Sequence, residues 1–130
     1  MRTFVRRIIA ILLLLAVSIC VVIVIARPGV SLGRLHIDNQ SGQQLEEVGI
    51  AISDNTFRFV GLPVNSAVEL TCPITRESAY KIRVRLASGK TFNTETGYVT
   101  RGFDFSDRLV VSVDGLVFER LEVSKPGRKE

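Results

Sequence analysis

Tyr80-Lys81-Ile82-Arg83-Val84-Arg85-Leu86 alternates apolar and basic residues without a break. Successive side chains of a β-strand point to opposite faces. The stretch therefore predicts a strand with Tyr80, Ile82, Val84 and Leu86 on a core and Lys81, Arg83 and Arg85 on the opposite face. Period-two spacing spreads the three cations over roughly 14 Å. One apolar face and one charged face describe a sheet covered on one side only, the pattern of antiparallel proteins.

The same period continues on both sides of this stretch. Leu35 and Ile37 alternate with His36 and Asp38, and Val48, Ile50 and Ile52 oppose Gly49 and Ala51. Phe57-Arg58-Phe59 follows, then Val68, Leu70 and Cys72 as an inward set. Phe92 is the one clear inward residue of 91–96; Leu109, Val111 and Val113 form a later strand, and 116–123 completes the last pair. Turn chemistry separates these segments at 39–42, Asp54-Asn55, Gly61-Leu62-Pro63, Pro73, Ser88-Gly89 and Asp114-Gly115. No body segment carries a helical apolar stripe. The expected fold is all-β: a small antiparallel β-sandwich of about seven to eight strands over 35–123, immunoglobulin-like or Greek-key in type, with an open barrel as the alternative. The immunoglobulin Cys…Trp…Cys pattern is missing, because the chain has no Trp and only one body cysteine.

Residues 8–26, IIAILLLLAVSICVVIVIA, follow a different rule. The run opens at Ile8, closes at Ala26 and contains no charge, Pro or Gly. As a helix it would be about 28 Å long, close to the hydrocarbon thickness of a bilayer. It is expected to be an uncleaved transmembrane helix, making the lipid bilayer the chain's first partner. A cleaved signal would need a site after Ala26, and the run is longer than a signal core. A lipoprotein would need a small residue before Cys20, where Ile19 stands. Ala16 and Cys20 have the small-xxx-small spacing of a helix-pairing face, but that spacing is common by chance and a plain lipid-facing span is the better reading. Arg2, Arg6 and Arg7 precede the span, and Arg27 and Arg34 follow it. A short basic leader (1–7) is readily retained, so the expected orientation is N-terminus inside the cytoplasmic membrane and body on its outer, periplasmic side. Residues 27–34 then form a short linker that keeps the body near the headgroups, and 124–130 a disordered polar tail.

The formal charge of +4 comes from these flanks. Residues 1–34 hold five Arg and no acid, whereas 35–123 hold nine basic and twelve acidic residues. A nucleic-acid-binding domain would carry its positive charge on the folded surface, so nucleic acid is not an expected partner.

Few residues point to chemistry. His36 is the only histidine, and one His with one body Cys does not make a zinc site. Asp104, Asp107 and Asp114 fall near one end of two late strands, where acidic loops can bind calcium, but their spacing fits no EF-hand. Cys72 reads as a small buried hydrophobe. Asn39-Gln40-Ser41 matches the N-glycosylation triplet. No catalytic residue, metal or cofactor is expected. The candidate binding residues are Lys81, Arg83 and Arg85, whose plain alternative is a solvated face partnered by Glu69 and Glu95, together with Tyr98 and Arg101. The last two lie in Gly97-Tyr98-Val99-Thr100-Arg101-Gly102, a stretch that suggests a bulge or a shaped contact loop. The sequence thus points to a non-enzymatic, single-pass membrane-anchored module that contacts a membrane or envelope protein. The competing expectation is a tethered domain binding a glycan, an anionic lipid or a metal ion.

Overall fold

The computed structural model describes residues 30–126. The basic leader, the transmembrane helix, residues 27–29 of the linker and residues 127–130 of the tail expected from the sequence lie outside the described residues, and Ser124, read as the start of that tail, closes β8.

Eight strands follow one another: β1 (Leu32–Asn39), β2 (Leu45–Ile52), β3 (Asn55–Leu62), β4 (Ala67–Pro73), β5 (Ser78–Leu86), β6 (Thr91–Val99), β7 (Asp104–Val111) and β8 (Leu116–Ser124). They form two four-stranded sheets, in the orders β4-β1-β7-β8 and β3-β2-β5-β6. Among the described residues the fold is all-β, as the alternation predicts. Tyr80, Ile82, Val84 and Leu86 are buried, and the β5 residues between them are exposed. Between the sheets they meet Leu35, Ile37, Val48, Ile50, Leu109 and Val111, with Cys72 as a free thiol in the same core. Each fully buried aliphatic side chain contributes on the order of 1.5–3 kcal/mol, so this interior dominates the stability.

The structure departs from the expected plan in several places. Strand β1 begins at Leu32, inside the stretch read as linker, because Leu32 and Gly33 pair with Pro73 and Cys72 of β4. Not every pair is antiparallel: β1 and β7 run parallel, with Ile37 opposite Leu109. A parallel pair needs a long crossover, and the five intervening strands provide it. The order is also not that of an immunoglobulin constant domain, which groups its first, second, fourth and fifth strands in one sheet. Here β4 returns beside β1 while β2 and β3 pair in the other sheet.

Three side-chain readings also change. Val113 lies outside β7 and is half exposed, because the β7–β8 turn begins at Ser112, whose amide donates to the Gly115 carbonyl. Asn39 is buried, and its amide donates to the carbonyls of Gln43, Leu62 and Pro63, so the glycosylation triplet is closed off by its own turn and by the end of β3. The three aspartates considered for calcium do not converge. Asp104 opens β7, Asp107 is buried within it, and Asp114 lies in the turn at its other end.

The strand directions give the sandwich two poles. The entry pole carries Val30 and Ser31, the Ser53-Asp54 turn, the loops 74–77 and 100–103, and the end of β8. The far pole carries the loops 40–44, 63–66, 87–90 and 112–115.

Candidate functional site

The outer face of the β3-β2-β5-β6 sheet is assembled in rows across the strands. Gly49 of β2 stands between Arg58 of β3 and Arg83 of β5, and Asn93 of β6 lies beyond Arg83. In the next row Ala51 stands between Thr56 and Lys81, with Glu95 beyond. Small residues on β2 thus leave a low strip between two raised lines of side chains. A third row holds Val60, Glu47 and Arg85.

Ion pairing divides the cations. Glu47 accepts a 3.0 Å bond from Arg58 and lies 3.8 Å from Arg85, and Arg85 also meets Glu46 at 3.0 Å. The Arg58 hydrogen bond holds the Glu47 carboxyl below the usual carboxylate range. Arg83 and Lys81 make no ion pair among the described residues, although Lys81 lies opposite Glu95. Together with Asn93, Thr94 and Glu95 they line a shallow open groove. Glu69, expected as a partner for this stripe, belongs to the other sheet and lies opposite His36. Two sheets packed face to face turn their outer faces in opposite directions, and period alone does not say which sheet a strand joins.

Tyr98 joins this face at its entry-pole end. Gly97, at φ 68°, shifts the β5–β6 register, so Ser78 opposes Val99 while Tyr80 opposes Thr96. The bulge buries Val99 and leaves Tyr98 outward, its hydroxyl donating to Glu77 at 2.7 Å. Arg101 lies further on, exposed in the turn before β7. The structure therefore brings Lys81, Arg83 and Arg85 together, sets Tyr98 near one end of their row, and leaves Arg101 on the pole.

Sequence reasoning missed a polar cluster inside the sandwich. Asp107 is buried on β7, and Arg120 of β8 donates to both its oxygens, at 2.8 and 3.1 Å. Arg120 also donates to the Tyr98 carbonyl at 2.6 Å and lies 4.5 Å above the Phe105 ring. The Tyr80 hydroxyl is buried nearby with no hydrogen-bond partner, and burial pushes its pKa well above the ordinary value, aided by the Asp107 charge. The signal was available: Phe105, Asp107, Leu109 and Val111 have one period-two spacing, which points Asp107 inward.

On the opposite outer face, Glu69, His36, Arg108 and Glu119 form one row across four strands. Arg108 binds Asp38 through Nε at 2.9 Å and again through Nη2, and His36 lies 3.4 Å from the same carboxylate. Among the described residues no group of three or more His, Cys, Asp or Glu side chains could hold a metal ion.

No family model matches the chain, and no curated protein matches it in sequence. Solved structures resemble it in shape. A protein from Eubacterium rectale, solved by NMR, has a TM-score of 0.54 at 9% identity, over 71% of this chain and 92% of that one. A "putative cell adhesion protein" from Bacteroides ovatus has a TM-score of 0.49 at 9% identity, over 78% of this chain and 47% of that one. The tip fimbrial protein Mfa3 from Porphyromonas gingivalis has a TM-score of 0.42 at 9% identity, over 72% and 51%. The first likeness concerns the fold alone, and the other two are too distant in shape to carry an argument.

Proposed function

We propose that this chain is a non-enzymatic interaction module. It is held at the outer face of the cytoplasmic membrane by residues 8–26 and presents the outer face of the β3-β2-β5-β6 sheet to an acidic surface of a membrane or envelope protein. The observation that carries the binding surface is the exposure of Lys81 and Arg83, without ion-pair partners among the described residues, beside the low Gly49–Ala51 strip. An approaching strand or loop meets no bulky side chain there, and the two free cations supply charge complementarity. The anchor rests on the apolar length and the arginine distribution of the sequence.

The test is photo-crosslinking in cells from position Asn93, which lies opposite Arg83. A specific crosslinked membrane or envelope protein is expected, and it should disappear in Lys81→Glu/Arg83→Glu. Both side chains are exposed, so the double variant should keep the parent melting temperature. An equally strong crosslink in the double variant, or no protein crosslink at all, would reject this surface.

A further inference from the structure

We propose that the entry pole of the sandwich docks on the headgroups of an anionic bilayer, setting the domain upright on the membrane; this rests on the membrane-anchored reading above. Two observations converge here. The first is reach. Residues 27–31 separate the apolar run from β1, and five residues extend at most about 18 Å. An eight-residue strand is about 27 Å long, so the far pole stands beyond that tether unless the domain lies on its side.

The second is the chemistry of the pole. Val30, Tyr98, Phe103 and Val123 are 53, 55, 37 and 49% exposed. Val30, Phe103 and Val123 are held close to one another: the Gly102 amide donates to Ser31 Oγ at 2.6 Å, Leu32 N donates to Asp104 Oδ1 at 2.8 Å, and Phe105 pairs with Val123, while Tyr98 stands at the entry-pole end of β6. Arg101 and Lys125 are exposed at the same pole and make no ion pair among the described residues. Of its carboxylates, Glu122 belongs to the outer face of the β4-β1-β7-β8 sheet, where it lines one depression with Arg34, Asp104 accepts the Leu32 amide, and the other two are engaged as well. Asp54 pairs with Arg76 at 3.0 Å, and Glu77 accepts the Tyr98 hydroxyl. Exposed aromatic and aliphatic groups ringed by free cations match the headgroup region, where amphipathic rings settle and basic side chains meet anionic lipid. The outer face of the β4-β1-β7-β8 sheet carries Asp38, Glu69, Glu119 and Glu122 against Arg34 and Arg108, an acidic excess that anionic headgroups would repel.

The chain contains no Trp, so a single introduced one reports its own depth. Full-length Phe103→Trp, Asn93→Trp and Val117→Trp would be reconstituted in vesicles of phosphatidylcholine and phosphatidylglycerol containing lipid brominated near the headgroup. The expected result is a blue-shifted, strongly quenched emission for Phe103→Trp alone, with the quenching reduced by Arg101→Glu/Lys125→Glu. Quenching of Asn93→Trp in its place would mean that the domain lies flat on its basic sheet, and equal emission from all three would mean that no face docks; either overturns the upright arrangement. Flotation after a carbonate wash separates the two claims. A chain that stays with the vesicles while Phe103→Trp is unquenched refutes the docking alone, and a chain that washes off refutes the anchor as well.

Discussion

Gly97 is constrained from two directions at once. Its φ of 68° lies in the left-handed region, and a Cβ built on it would stand 2.9 Å from Tyr80 Cδ2 and overlap the Phe118 ring. Those two rings pack with centroids 5.6 Å apart, so neither can withdraw freely. Gly97→Ala should cost about 2–4 kcal/mol in urea unfolding, from backbone strain and overpacking together. Gly33 offers the contrast. Its added Cβ would meet Ile74 Cδ1 at 2.9 Å, the movable end of a flexible chain, and Gly33→Ala should cost about 1 kcal/mol. Equal costs would show that the bulge does not depend on Gly97. Arg120→Met leaves the Asp107 carboxylate buried without its partner and should cost about 2–4 kcal/mol, somewhat discounted because Arg120 is partly exposed. Adding Asp107→Leu should recover much of that loss. A single variant as stable as the parent would mean that Asp107 finds another partner.

At the scale of elements, β1 and β7 are joined by more than their parallel ladder. Arg108 of β7 grips Asp38 of β1, and its hydrogen bond holds the Asp38 carboxyl below the ordinary carboxylate range, despite partial burial that acts the other way. A carboxyl depressed on folding contributes stability above its unfolded pKa and loses that contribution as pH falls through its folded pKa. Arg108→Met should therefore be less stable than the parent at pH 7, with the gap closing below about pH 4. A gap independent of pH in acid titrations of both proteins would assign the effect to packing. The strands themselves were legible, because one-sided burial forces alternation, and β5 shows this most cleanly. Their partners were not. Nothing in 32–39 or 104–111 states that these two runs lie side by side in parallel, since pairing between strands distant in sequence leaves no local signature. The basic row on β5 could be read from its period, but the low strip beside it needed the β2 register. Asp107 reads from the sequence as a loop carboxylate because a carboxylate seldom occupies an inward position, and its partner lies one strand away on the edge.

For the whole molecule, the orientation proposed for the membrane makes a prediction that the native thiols leave clear. Cys72 is 1% exposed, and burial pushes its thiol pKa up, so in the folded protein it offers little thiolate to an alkylating reagent. Cys20, the only other cysteine, lies within the apolar run. A polar, membrane-impermeant maleimide should therefore leave the parent protein unlabelled in intact cells with a permeabilised outer layer. Ser88→Cys places a thiol in the exposed β5–β6 turn at the far pole, away from the bilayer in the upright arrangement. It should label rapidly from outside, and Ser88 contributes no side-chain contact whose loss would disturb the fold. A thiol at Thr3, ahead of the span, should label only after the inner membrane is opened. Labelling of Ser88→Cys only after lysis would place the body inside and reverse the orientation. Labelling of the parent at Cys72 in intact cells would instead mean that the core opens under native conditions, a failure of the fold rather than of the topology.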